Sequence, residues 1–361
     1  MAECKEGHRV TLLSSGKDAG GNAKVTAKIQ LKSTGAGTAP PSPPSQLSTI
    51  LFDHDGTDLK KAGDDAGFIE GLTGKLCLSI TGNNGRLSSE TASTFLTLKS
   101  KMRFVSKKVL EDAYTKLRSG KICDAKDARL NKLVTLYVEA AAMASSTDSI
   151  AFVADLVKSG AVSKKSQKKF RLFTAFANRP KESALESMRG LLATGGDLNP
   201  KYLLTASGIA HQFCLSANCA ESSAYKELVN EIAKQVKSNC EASSSGEENK
   251  VKAAVIGLQA FGNLDSLTPQ AIATISDCLT KSDRIKVHAL QAFRRDPCQE
   301  SIKSVARDIL KKEENPAHVR LSAYLALSQC YNQLDSDVIR GLIKTEESVQ
   351  GVTNLIRNWR I

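Results

Sequence analysis

Apolar positions recur at helical spacing through most of the chain. Phe104, Val105, Val109, Leu110, Ala113 and Leu117 form one stripe, and Leu130, Leu133, Val134, Tyr137, Ala140 and Ala141 form the next. Thr147 or Asp148 can cap a helix over Ile150 to Lys158, which Gly160 ends. Helices are expected over about 164–177, 181–193, 200–216 and 222–238, separated by Gly, Pro or Asn. Two more, over about 335–344 and 347–358, carry the pattern to Trp359. Before Arg103 the pattern changes. Val25, Ala27, Ile29 and Leu31 alternate with Lys24, Thr26, Lys28 and Gln30, which predicts a β-hairpin with one polar face between Arg9 and Lys32. Two strands alone are marginal, so that hairpin needs partners. Ser33 to Thr49 is rich in Gly, Pro and Ser and reads as a linker. Within residues 50–98, Gly63, Gly67, Gly71, Gly74, Gly82 and Gly85 interrupt any helix, and short strands are expected at Lys75 to Ile80 and Thr94 to Leu98. The chain thus divides into a β segment over 1–32, an irregular segment over 33–98 and a helical domain over 103–361.

The helical pattern also repeats. Ile256 to Phe261 reads Ile-Gly-Leu-Gln-Ala-Phe, His288 to Phe293 reads His-Ala-Leu-Gln-Ala-Phe, and Ala323 to Ser328 is a looser third copy, at offsets of 32 and 35. A second helix is expected between copies, at Thr268 to Lys281 and Ser301 to Lys312. About 35 residues is the length of a helical hairpin that cannot bury its apolar face alone, so such hairpins stack into a solenoid. Ala253, Ala254, Gly257, Ala260, Ala289, Ala292, Ala323 and Ala326 supply the small surfaces that close stacking needs. The expected fold is mainly α, a two-layered α-α superhelical arch preceded by a small β segment.

Length and composition narrow the function. The 361 residues suffice for two domains. Apolar residues make up 41% and charged residues 24%, with no apolar run of spanning length. The stretch Met1-Ala-Glu-Cys-Lys-Glu has no apolar segment of the signal-peptide kind. A net charge of +12 favours anionic partners. Aromatic residues are only 5% and none is interleaved with the basic clusters, which argues against nucleic acid. The clusters are Lys99, Lys101, Arg103, Lys107 and Lys108, then Lys164, Lys165, Lys168, Lys169 and Arg171. Each reads either as a solvated helix face or as a contact surface for anionic lipid or a protein partner.

Catalytic signals are few. Ile50-Leu-Phe-Asp53-His-Asp55-Gly56-Thr57 resembles the first motif of haloacid dehalogenase phosphatases, whose first Asp is the nucleophile. That motif belongs at the end of a parallel strand in an alternating α/β chain, and helices follow here. Asp53, Asp55 and Asp58 lack the spacing of a calcium loop. His8, His54, His211, His288 and His318 are scattered without metal-site spacing, so no metal, cofactor or catalytic residue is expected. Nine Cys without a CxxC pair point to disulfides rather than zinc. Cys214 and Cys219 flank one tight loop, Cys240 ends one helix with Cys278 in the second helix after it, and Cys298 and Cys330 sit at corresponding ends of consecutive repeats. These six are bridge candidates, with buried free thiols as the alternative. Partners for Cys4, Cys77 and Cys123 do not follow from the spacing.

Leu258-Gln-Ala-Phe-Gly-Asn-Leu264, Val287 to Cys298 and Arg320 to Cys330 together resemble the helical domain of the large lipid transfer proteins, which include vitellogenin, apolipoprotein B and the apolipophorins. The resemblance implies a secreted, non-enzymatic lipid carrier whose arch wraps lipid-lined sheets and whose cargo is phospholipid and neutral lipid. It implies that the first strands are the end of an N-terminal β-barrel, that Cys4 pairs upstream, and that the cavity sheets follow the arch outside this chain. Partners would be the remainder of the same lipoprotein and a receptor. An intracellular helical-repeat scaffold that binds proteins is the alternative.

Overall fold

The computed structural model describes residues 8–13, 28–33 and 66–345, apart from 83–85, 125–126, 176, 178, 195–199, 244–246, 297 and 331. The chain divides into two compact units, Met1–Leu59 and Lys60–Ile361. In the first, β1 (His8–Leu13) pairs antiparallel with β2 (Lys28–Ser33), with His8 opposite Ser33 and Leu13 opposite Lys28. The linker expected at Ser33 to Thr49, apart from Ser33 itself, the Asp53 stretch, Cys4 and the helix expected over 347–358 lie outside the described residues.

The second unit holds fifteen helices among its described residues: α1 (Ala66–Gly82), α2 (Ser89–Met102), α3 (Lys107–Arg118), α4 (Asp127–Ala144), α5 (Thr147–Lys158), α6 (Lys164–Thr174), α7 (Glu182–Leu192), α8 (Lys201–Cys214), α9 (Ser223–Ala242), α10 (Glu248–Phe261), α11 (Pro269–Cys278), α12 (Asp283–Gln291), α13 (Glu300–Lys311), α14 (Ala317–Ser328) and α15 (Gln333–Thr345). Even-numbered helices from α2 to α14 pack side by side in one layer. Odd-numbered helices from α1 to α11 pack in the other, with α7, α9 and α11 in close succession, and α13 packs with α15. Chain neighbours α9 and α10, or α13 and α14, join the layers. The three sequence copies fall on α10, α12 and α14, so the repeat marks one layer.

Six of the described helices start on a Ser or Thr side-chain cap. The hydroxyls of Ser88, Ser106, Ser146, Ser163, Ser222 and Thr268 each accept a hydrogen bond from the backbone N–H three residues on, satisfying a donor that the helix leaves open. The cap before α5 is therefore Ser146 rather than Thr147 or Asp148. At the other end of α5, Gly160 takes φ +72°, and the N–H of Ala161 returns to the Leu156 carbonyl at 2.9 Å.

The structure corrects the reading of residues 66–102. Lys75–Ile80 and Thr94–Leu98 are helical, in α1 and α2. Ile69, Leu72, Leu76 and Ile80 are buried along one stripe of α1, and Leu98 and Met102 along α2. Burial of that stripe outweighs the cost of its glycines, about 1 kcal/mol each against Ala. Among the described residues helices thus begin at Ala66, well before residue 103.

The core runs through both layers. Tyr114, Tyr137 and Phe152 join α3, α4 and α5, with centroids 5.7–6.2 Å apart and Phe152 edge-on to both tyrosines. Small residues do what the repeat requires: Ala254, Ala260, Ala289 and Ala323 are fully buried. At Gly257 an added Cβ would lie 2.4 Å from Val236 Cγ2 on α9, so the α9–α10 approach depends on that glycine.

Candidate functional site

Four disulfides occur among the described residues. Cys240–Cys278 joins α9 to α11, and Cys298–Cys330 joins the loop before α13 to the loop after α14. Cys214–Cys219 closes a turn after α8. Cys77–Cys123 joins α1 to the loop before α4, a pairing hidden at the sequence level because Cys77 was expected on a strand. The three longer bridges span 46, 38 and 32 residues, against 5 for the turn. Loop-closure entropy makes the longer ones worth roughly 4 kcal/mol and the short one about 2.

Beside these bridges, polar side chains tie successive even-layer hairpins together. Arg294, just after α12, donates to the Gln259 carbonyl at 3.3 Å and to Asn263 Oδ1 at 2.5 Å, and Asn263 Nδ2 donates to Ser207 Oγ at 3.2 Å. Asp265 is shared by two side chains from other hairpins, His211 Nδ1 at 2.6 Å and Arg295 Nη1 at 3.1 Å. This ladder runs across α8, α10 and α12. Sequence reasoning missed it, since its bonded members lie 30 to 56 residues apart. His288 is half-buried on α12, and burial, then the nearby Arg284, lowers its pKa.

At the C-terminal end the polar link is buried. Asp335 on α15 has no exposed surface and receives Lys303 Nζ at 2.6 Å and Arg307 Nη1 at 2.7 Å, both from α13. Lys303 also donates to the Cys330 carbonyl at 2.7 Å, and Arg307 pairs with Glu300. Burial alone would raise the Asp335 carboxyl, but hydrogen bonds from Lys303 and Arg307 outweigh it and hold its pKa below the ordinary carboxylate value.

The structure splits the basic candidates. Lys169 reaches buried Glu139 at 2.5 Å, Arg171 stacks over Tyr202 at 5.1 Å, and Arg103 Nε donates to the Ala144 carbonyl at 3.0 Å. Lys101 lies 5.3 Å over the ring of Phe68. Those four serve packing between helices. Lys164, Lys165 and Lys168 project from the exposed face of α6 with no ion pair among the described residues, and Lys99 is half-buried on α2.

No three His, Cys, Asp or Glu side chains converge as a metal site among the described residues. The small depression beside Cys240–Cys278, lined by Lys237, Glu241, Asp277 and Lys281, carries both charges and no buried polar group without a partner. Among those residues, no helix is long and apolar enough to cross a membrane. The geometry is that of a fastened scaffold.

Comparison with known proteins gives the same answer by another route. Residues 76–355 match the family model described as the Vitellogenin TPR domain. The chain is 26% identical over 340 residues to apolipophorins of Manduca sexta, covering 93% of this chain and 10% of that protein. Apolipophorins of Locusta migratoria are 24% identical over 335 residues, covering 92% of this chain and 9% of theirs. The chain thus spans about a tenth of the length of these relatives. A solved structure titled for lipid–protein interactions in lipovitellin superposes with a TM-score of 0.56 at 16% identity, over 92% of this chain and 35% of that one. With 280 of its residues inside the family model and the two-layered arch in common with lipovitellin, the chain belongs to the family of vitellogenin TPR domains, the helical part of the large lipid transfer proteins.

Proposed function

We propose that the chain is the helical arch of a secreted lipid carrier, backing the lipid-lined sheets of the same lipoprotein and performing no catalysis. The observation that carries this reading is similarity to apolipophorins along 93% of the chain. Four disulfides support an oxidising, extracellular setting, because cytosolic proteins keep their thiols reduced. The cargo would be phospholipid and neutral lipid, and the partners the remainder of the lipoprotein and a receptor. Bridges and polar ladders between hairpins suit a scaffold that must hold its curvature while lipid load changes beside it.

Lipid extraction and mass spectrometry of the protein purified from secreting cells, with non-reducing peptide mapping of the same sample, tests the reading. Bound phospholipid together with an intact Cys240–Cys278 bridge is expected. A lipid-free protein with reduced thiols would overturn it in favour of an intracellular scaffold.

A further inference from the structure

The net charge is not spread along the chain. Residues 66–205 carry 23 Lys+Arg against 12 Asp+Glu, whereas residues 206–361 carry 19 against 18 and residues 1–65 carry 8 against 8. Nearly all of the +12 therefore sits in the first half of the helical unit. Large apolar side chains are exposed in the same place. Among the described residues, Phe68, Leu78, Leu87, Leu96, Phe104 and Leu172 are exposed in that half, and only Leu215, Leu325 and Leu334 in the rest.

The two features meet on α6. At about 100° per residue, Lys164, Lys165, Lys168 and Leu172 fall within an arc of about 100°. All four are exposed, Leu172 at 58%, while Phe170 faces the core at 0%. Helix α6 lies next to α4 in the even layer, and α4 lies next to α2. Helices packed in this way sit about 8–10 Å apart. Arg129 on α4 and Leu96 on α2 are likewise exposed. In the second half positive and negative side chains are nearly equal in number, and pairs such as Arg284 with Glu248, Lys286 with Asp283 and Arg295 with Asp265 take up part of its charge.

We propose that the first half of the helical unit docks on an anionic phospholipid surface through the exposed stripe of α6, flanked by Leu96 and Arg129. Unpaired lysines attract the headgroups, and the leucines enter the boundary between headgroup and acyl chain. A sulfated glycan would match the lysines equally well but gives no role to exposed leucines, so the coincidence of the two favours lipid. The proposal goes beyond the cargo reading, since it concerns a lipid surface met from outside.

The test is co-sedimentation of the 361-residue chain with vesicles of phosphatidylcholine alone or mixed with phosphatidylserine, at low and high salt. Binding is expected on the mixed vesicles and should fall with salt. Replacing Lys164, Lys165 and Lys168 with Glu should weaken it by about a hundredfold, at about 1 kcal/mol per lysine. Leu172→Ser should weaken it by about tenfold. Lys234, Lys237 and Lys250 replaced together with Glu make the same charge change in the second half and should leave binding intact. Equal binding to neutral vesicles, or a Lys164/Lys165/Lys168 variant that binds like the parent, would overturn the proposal. So would heparin binding lost in that variant while Leu172→Ser leaves vesicle binding unchanged, which assigns the stripe to a sulfated glycan. Chain with reduced thiols and no extractable cargo that still sediments with anionic vesicles would end the carrier reading and leave this one standing.

Discussion

In residues 66–205 the helices meet around Tyr114, Tyr137 and Phe152, and their charged side chains pair mostly at the surface, as Lys107 does with Asp155 at 2.5 Å and Lys116 with Glu70 at 2.6 Å. In residues 206–345 the helices approach through alanine and glycine, and fastening falls to two disulfides between hairpins, against the single bridge Cys77–Cys123 of the first half, with the Asp265 ladder and the buried Asp335 cluster. Small residues allow close stacking but bury little apolar area each, so covalent and buried ionic links make up the difference. Large aromatic residues bury more and leave the outer surface free for an excess of positive charge.

The sharpest way to break that comparison is to remove the centre of the buried cluster. Asp335→Ala leaves Lys303 buried without its counter-ion and Arg307 with Glu300 alone, and unfolding monitored by circular dichroism in urea should show a loss of about 3–5 kcal/mol. The pH arm follows from the lowered Asp335 pKa. A carboxylate depressed in the folded state contributes stability that is present above the unfolded value, about pH 4, and is lost as pH falls toward the folded one. The parent chain should therefore lose stability below about pH 4, and Asp335→Asn should flatten that slope. An unchanged slope would mean that acid sensitivity arises elsewhere.

Much of this architecture is visible in the residues, for particular reasons. Helices α10, α12 and α14 stand out because an apolar stripe and a small-residue face recur together, and the helices between them follow from the period. Helices α1 and α2 do not stand out, because Gly71, Gly74 and a run of Thr and Ser speak against helix locally, and burial of Ile69, Leu76 and Leu98 decides the matter only in three dimensions. Cysteines at matching places in successive repeats can be paired on paper, but Cys77–Cys123 depends on α1 being a helix. A run such as Lys164 to Arg171 reports charge without saying what faces it. Glu139, which takes up Lys169, lies 30 residues away. The Asp265 and Asp335 links had no sequence signal at all.

The disulfides give the next largest effect and compare two bridges of the second half. Replacing Cys240 and Cys278 with Ala should cost about 4 kcal/mol, because the bridge closes a 38-residue loop between α9 and α11. The same change at Cys214 and Cys219, which closes 5 residues, should cost about 2 or less. Urea midpoints of the two variants side by side provide the check. Equal losses would show that the bridges act on the folded state rather than on the freedom of the unfolded chain.

The smallest effect probes the first half. Tyr137 is fully buried, and its hydroxyl donates to the Leu110 carbonyl at 3.0 Å, linking α4 to α3. Burial, with a contribution from Glu70, pushes the phenol pKa far up, so the group stays neutral across the working pH range. Tyr137→Phe keeps the ring that packs on Tyr114 and Phe152 and deletes one neutral hydrogen bond. It should therefore lower the unfolding free energy by about 1 kcal/mol, by the same amount at neutral and mildly acidic pH. A loss as large as that of Asp335→Ala would mean that the first half, too, hangs on a single polar link, and the contrast between an aromatic half and a fastened half would fail. A loss of about 1 kcal/mol leaves stability there with the packed rings.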